Sequence, residues 1–413
     1  MCGQSSLIKA LELTPTPPGN DFLNQKEIVK QEIKYPLDLY FCKNCYHIQL
    51  GHVVNPKILY QKNYTYVSAT SDYFVNHLKK YVTEMIKRFD LKSGYLVSDI
   101  GSNDGTTLSF FKNAGMKVVG IDPAKDIAQK ATNEGINTIG DFFNYSLACK
   151  LKRKFGPCKF ITSHNACAHI DDLLDVFKGV EHWLEDDGIF VLEVGYFVDV
   201  YQNTWFDTIY HEHLDYHTVA PFEKLLERVG MELIDVERIE PQGGSIRVTA
   251  QKYGGKYKRS KSVENLITLE NELGLNKVET LYEFNNKISI VKKKLQNIIN
   301  FLKNDGKIIA GFGAPTKATT MMAHFGLDEK ILDFIVDDNP LKQGLFTPIT
   351  HIPIYSTEAL YKYKPDYVLI LAWNFAEPIM KIQARYEKEI GQFIIPMPVP
   401  RIIGKPTSYG NIK

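Results

Sequence analysis

The chain has 413 residues, with 49 Lys and Arg against 48 Asp and Glu, and a formal net charge of +1. At about 100–200 residues per domain this length predicts two to four domains, and 44% hydrophobic with 23% charged residues is the profile of a soluble globular protein. The near-neutral balance excludes a dedicated nucleic-acid binder, Glu193 breaks the longest apolar run well short of a membrane span, and six cysteines make no disulfide framework. The opening MCGQSSLIKALEL has no basic segment followed by a long apolar one, so a cytoplasmic protein without nucleic-acid or membrane partners is expected.

In chain order, TPTPPGND (14–21) reads as a loop and YPLDLYFCKNCYHIQL (35–50) as a hairpin with Cys42 and Cys45 at its turn. A helix is predicted over 71–89, where Phe74, Leu78, Tyr81, Val82, Met85 and Ile86 share a face. Strand-like runs follow at 95–101, 116–122, 160–164 and 189–195, with helical segments such as DDLLDVFKGVEHWL (171–184) between them. That alternation predicts a parallel sheet with crossovers. Residues 278–304 form the clearest helix, with Leu281, Phe284, Ile288, Val291, Leu295, Ile298 and Leu302 on one face. A second α/β pattern begins at KIIAGFGA (307–314), with further strands at 331–338 and 366–373. The fold class is therefore α/β: a small N-terminal module (1–70), a larger α/β domain (71–255), a helical connector (256–305) and a second α/β domain (306–413).

Several segments can carry chemistry. SDIGSNDGTTLSFF (98–111) is strand, turn, helix, in which Gly101 allows a tight turn and Gly105 a close approach at the helix start. The next strand ends in Asp122, where an acid accepts bonds from ribose hydroxyls. The spacing is not that of a dinucleotide fold, and Asp104 would repel a pyrophosphate, so S-adenosylmethionine is the better fit; a purely structural turn is the alternative.

SHNACAHIDDL (163–173) sets Asn165 and His169 at a strand's C-terminal end, where such sheets bind ligands, while Cys167 reads as a packing residue. WFDTIYHEHLDYHTV (205–219) packs three histidines, a glutamate and two tyrosines into eight residues, a poor core. His213 and His217 share metal-ligand spacing without an apparent third ligand. His213 beside Glu212 can instead be a general base whose tautomer the carboxylate holds, and a hydrogen-bonded structural cluster is as good a reading. Arg247, beyond the paired glycines of PQGGSIRVTA, can meet a phosphate or carboxylate, or be an ordinary surface residue. Lys317, in AGFGAPTKATT (310–320), can meet an anion at a helix start. Cys42 and Cys45 have zinc-knuckle spacing and Cys2 resembles half of a second pair, so three thiolates with His47 or His52 can close a zinc site.

With these segments assembled, the sequence resembles the sugar C-methyltransferases that act on nucleotide-linked 4-keto-hexoses in deoxysugar pathways. The likeness rests on YPLDLYFCKNC, NYTYVSATSDYF, DIGSNDGTTL, NACAHIDDL, FDTIYHEHLDY, GGSIRV, GFGAPTKATT, VDDNPLKQG, IPIY and PDYVLILAWN, in that order. It implies a zinc-binding N-terminal domain, a class I methyltransferase domain and a C-terminal α/β domain that closes over the sugar nucleotide. It also implies roles. Gly101 and its turn, with Asn103 and Gly105, would hold the methionyl part of S-adenosylmethionine, Asp122 the ribose, and Asn165 the region near the sulfonium. His213 would remove the proton next to the ketone, with Glu212 and Tyr210 beside it and Tyr210 donating to the enolate oxygen. Tyr64, His169 and Lys317 match substrate-side positions. The first zinc cysteine of the pattern is missing, which leaves the metal site with Cys2, Cys42 and Cys45. An O- or N-methyltransferase, or a non-catalytic sugar-nucleotide-binding protein, are the alternatives. Neither the sugar, its carbon, its nucleotide nor the oligomeric state is written in the sequence.

Overall fold

The computed structural model describes residues 1–60 and 72–404. In chain order, β1 (Leu7–Thr16), β2 (Tyr35–Cys42) and β3 (Ile48–Leu50) pair antiparallel, the expected hairpin among them. Alternation decides the faces: Leu37, Leu39 and Phe41 of β2 are buried, with more exposed residues between. The second sheet begins with β4 (Leu96–Ile100), β5 (Lys117–Ile121), β6 (Thr138–Ile139), β7 (Cys158–His164) and β8 (Leu184–Gly195), each parallel to its neighbours among them. The short β9 (Asp215–Tyr216) leaves that sheet and pairs with β3 at the edge of the first. β10 (Met231–Ile239) and β11 (Ser245–Lys252) then complete the second sheet, β11 running antiparallel to both β8 and β10. The third sheet holds β12 (Ile309–Phe312), β13 (Ile335–Val336), β14 (Ile354–Tyr355), β15 (Tyr367–Ile370) and β16 (Gln392–Ile395), all parallel, with β17 (Arg401–Ile403) antiparallel at its edge.

The strand orders β10-β11-β8-β7-β4-β5-β6 and β14-β13-β12-β15-β16-β17 share one property. Each sheet grows in both directions from its first parallel strand, β4 or β12. That makes a topological switch point at the strand's C-terminal end, where open α/β sheets bind ligands. Every residue of β4 is buried, as a strand covered on both faces requires.

The helix Asp72–Phe89 buries Phe74, Leu78, Tyr81, Val82 and Met85 as expected, adding Phe89 in place of Ile86. The helix Val278–Asn304 has the expected limits, but Ile299 rather than Ile298 is buried. Eighteen residues after Leu281, about five turns at 3.6 residues each, Ile299 returns to the same face. The strand expected over 331–338 shrinks to Ile335–Val336. Among the described residues no helix is long and apolar enough to cross a membrane.

Candidate active site

One cavity of about 1500 Å³ opens at both switch points and is walled by all three sheet units. At its β4 end Gly101 adopts φ 77°, and a Cβ there would stand 2.5 Å from that of Ala166, so only glycine fits the turn. Asp122, just beyond β5, ties this turn down. Its Oδ2 accepts the Asn103 N–H at 2.8 Å and its Oδ1 the Ala124 N–H at 2.8 Å. Burial raises the Asp122 carboxyl, against the pull of those two N–H groups. Gly101, Asn103, Asp122 and Asn165 all line the cavity. Gly105 does not; with φ 79° it starts the helix Thr106–Asn113 behind the turn.

Asp99 was missed by the sequence reasoning. It lies in β4 and lines the same wall, its Oδ1 has no hydrogen-bond partner, and burial pushes it up to about 7. Its signal was legible as the acid two residues before Gly101. An unpartnered buried carboxylate oxygen beside a turn that only glycine can make is a cradle suited to a cationic, ribose-bearing ligand.

Tyr210, Glu212 and His213 line the middle of the cavity with His169. The Thr208 carbonyl accepts from His213 Nδ1 at 2.9 Å, which places the ring hydrogen on Nδ1 and leaves Nε2 as an acceptor. Tyr210 Oη donates to that Nε2 at 2.8 Å. Burial lowers His213 to about 4, against the Thr208 bond. The expectation that Glu212 holds the tautomer of His213 is therefore corrected: a backbone carbonyl orients the ring, and desolvation sets its basicity. Glu212 instead accepts from Asn20 Nδ2 at 3.0 Å, and burial pushes it up to about 7. His169 hydrogen-bonds Tyr60 Oη through Nδ1 at 3.0 Å and meets the His213 ring edge-on, centroids 5.0 Å apart.

His211 faces the Tyr35 carbonyl at 3.2 Å, and His217 stacks on Phe222 with centroids 4.9 Å apart. Neither lines the cavity, and His213 and His217 belong to no trio of metal ligands among the described residues.

Asn20 is a second residue that sequence reasoning missed. Its amide donates to Glu212 and its Oδ1 accepts from Thr316 Oγ1 at 2.7 Å, so an N-terminal loop joins the His-rich segment to the third unit. Nothing in TPTPPGND marks it, because the contact spans nearly three hundred residues.

On the third unit's side, Lys317 lines the cavity at the start of the helix Thr316–Phe325. Asp337, after β13, repeats the arrangement of Asp122: its Oδ2 accepts the Ala314 N–H at 2.6 Å and its Oδ1 the Asn339 N–H at 2.8 Å. Arg247 is corrected. It is not in the cavity wall but buried, its guanidinium held by three carboxylates, Glu193 at 2.8 Å, Glu84 at 2.9 Å and Glu237 at 3.1 Å, away from any substrate in the cavity. Tyr64 lies outside the described residues. Cys167 donates to Ser163 and burial pushes its thiol up to about 12, as a packing residue should be.

The ligating atoms of Cys2, Cys42 and Cys45 lie within 4.8 Å of one another, and the Cys2 and Cys42 sulfurs are 3.6 Å apart. Thiolates at about 2.3 Å from a tetrahedral zinc stand about 3.8 Å from each other, so the trio fits three corners of such a site. Neither histidine completes it. His47 turns Nε2 to Asp215 at 2.6 Å, and His52 stacks on Tyr35 at 5.4 Å.

Family models match the chain in three stretches. These are the "Putative zinc binding domain" over residues 1–60, the "Methyltransferase domain" over 74–236 and the "C-methyltransferase C-terminal domain" over 240–398. The C-methyltransferase NovU of Streptomyces niveus is 33% identical over 403 residues, 98% of this chain and 96% of its own length. Among solved structures, the PH0226 protein of Pyrococcus horikoshii OT3 is 15% identical with a TM-score of 0.37, over 48% of this chain and 96% of that one. Magnesium protoporphyrin IX methyltransferase ChlM of Synechocystis PCC 6803, solved with bound S-adenosylmethionine, is 13% identical with a TM-score of 0.33, over 48% and 88%. With all three modules in order and this identity along nearly its full length, the chain belongs to the S-adenosylmethionine-dependent C-methyltransferases.

Proposed function

We propose that the chain methylates the carbon next to the ketone of a nucleotide-linked 4-keto-hexose, with His213 as the base and Tyr210 as the donor to the enolate oxygen. One observation carries the reading: the Tyr210 Oη to His213 Nε2 hydrogen bond, 2.8 Å long, in the wall of the cavity. Carbon methylation needs a proton acceptor and an oxyanion donor together, whereas methylation of oxygen or nitrogen needs no carbon-acid base. When the ketone oxygen takes the Tyr210 hydrogen bond, the Nε2 lone pair is free to accept the neighbouring proton. Nδ1 keeps its hydrogen on Thr208 throughout, so the ring stays in place.

Bound S-adenosylmethionine supplies the electrophilic methyl group. On this reading Gly101, Asn103 and Asp99 cradle its methionyl end, Asp122 its ribose, and Asn165 the wall beside the sulfonium. His169 and Lys317 face the sugar nucleotide, with Tyr64 as a further candidate. The cavity supports two ligands at once: about 1500 Å³ exceeds the roughly 300–1,000 Å³ of a site for one small molecule.

A second reading of the base is favoured by Glu212, which lines the same wall and is pushed up to about 7. The chain with S-adenosylmethionine and a panel of nucleotide-linked 4-keto sugars should yield a product heavier by one methylene, with the new methyl on carbon. His213→Ala should slow both product formation and exchange of the substrate's proton with deuterated water by roughly 10²–10⁴-fold. Methyl on oxygen, or no product from any member of the panel, overturns the reading.

A further inference from the structure

The turn Phe206–Thr208 connects two parts of the cavity wall that belong to different sheets. From the turn, the Thr208 carbonyl fixes His213. The Asp207 side chain points the other way, fully buried, and its Oδ2 accepts the indole N–H of Trp373 at 2.6 Å. The same Oδ2 lies 3.8 Å from Lys317 Nζ, and that ammonium sits over the Trp373 ring, 4.2 Å from its centroid. Asp207 Oδ1 has no hydrogen-bond partner. Next along the chain, the Ile209 carbonyl accepts Thr320 Oγ1 at 2.8 Å, from the helix that carries Lys317. Lys317 lines the cavity; Asp207 and Trp373 stand behind it.

We propose that Asp207 is a positioning residue, which keeps Lys317 charged and fixed in the cavity that His213 also lines, so that an anionic oxygen of the substrate meets a ready cation. The physical case is a contest between burial and charge at Lys317. Desolvation favours the neutral amine, and Asp207 is the carboxylate that opposes it. The ring face of Trp373 adds to the same side. The wall carries other charged groups, among them Glu212, held by Asn20, and Lys342, which binds the Ala314 carbonyl beside Asp337, but Asp207 is the charge that acts on Lys317. Among the described residues the ion pair at Lys317 is with Asp207. A buried aspartate whose second oxygen is unpaired adds little to stability, which argues for a role in tuning its neighbour.

The catalytic part of this inference rests on the function proposed above; the electrostatic part does not. Competitive acylation of the full-length protein's lysines, read peptide by peptide by mass spectrometry across pH, gives the Lys317 midpoint without any substrate. In Asp207→Asn, which keeps the shape and one acceptor oxygen, that midpoint should fall by about 1 pH unit or more, a tenfold change in the ionisation constant. Trp373→Phe, which removes the N–H and keeps a ring, should shift it in the same direction. The alkaline limb of kcat/KM should move down with the midpoint, while a merely structural defect would lower kcat at every pH and leave the limb in place. An unchanged Lys317 midpoint in both variants overturns the inference. A shifted midpoint in a protein whose wild type methylates no keto sugar upholds the pairing and rejects the functional reading instead.

Discussion

Burial lowers His213 to about 4 from 6.5 and raises Glu212 to about 7 from 4.5, so these sequence neighbours exchange the order they hold in water. That reversal makes the base identifiable. The acid limb of kcat/KM reports the base in the free enzyme. With His213 accepting the proton the limb should lie near pH 4, and with Glu212 accepting it near pH 7, so one pH profile separates them. His213→Ala should cost roughly 10²–10⁴-fold in turnover with donor binding intact, and normal turnover would remove it from the mechanism. Asp122 is a different kind of residue, because both its oxygens already receive a backbone N–H. Asp122→Ala therefore releases the turn as well as a ribose acceptor, and donor affinity should fall by about 1.5–3 kcal/mol. Calorimetry showing wild-type affinity would take it out of the donor site. The residue types of this wall were legible, since Tyr210 and His213 stand in a segment too polar for a core and Asp122 is the acid at the end of a strand. The Thr208 carbonyl was not, because every residue carries one and only the fold says which is aimed at a ring.

The parallel strands β4, β5, β7 and β8 were legible because burial on both faces favours short, largely apolar runs, which here alternate with helical segments. β9 was not: two residues, Asp215 and Tyr216, give no periodicity, and their pairing with β3 depends on chain some 165 residues away. This pair gives the cysteine cluster a consequence for catalysis. Cys42 and Cys45 fix the β2–β3 turn, β3 holds β9, and β9 follows directly on His213 and Leu214. Leu50 reinforces the link, its N–H donating to the Leu214 carbonyl at 2.8 Å. Chelating a metal from the cysteines should therefore depress turnover although none of them lines the cavity. The check is hydrogen exchange after chelator treatment. Amides of residues 48–50 and 214–216 should lose protection together, ahead of β4 and β7. Full activity in protein stripped of zinc would refute the coupling.

Stability should carry the mark of the many desolvated histidines. His47 and His169 are lowered to about 3, and His211, His213, His217 and His324 to about 4, all chiefly by burial. A folded pKa below the unfolded 6.5 means that the unfolded chain takes up more protons on acidification. This stability is complete above about pH 6.5 and is lost as the pH falls towards 4. Asp99, Glu212, Asp215 and Glu270, each raised to about 7, act in the opposite sense and blunt the loss. Six histidines and four acids nearly offset each other between pH 7 and pH 5, so the thermal midpoint should fall more steeply between pH 5 and pH 4 than between pH 7 and pH 5, and a steeper fall above pH 5 would contradict the balance. The sharing of one antiparallel sheet between residues 7–50 and residues 215–216 bears also on how such chains can be recombined. The stretches matched by separate family models are not interchangeable cassettes, since a cut after residue 60 separates β3 from the strand that completes its sheet. Asn20, reaching both Glu212 and Thr316, is severed from its partners by the same cut. A chimera that borrows its first 60 residues from a relative should regain activity only when residues 210–216 travel with them.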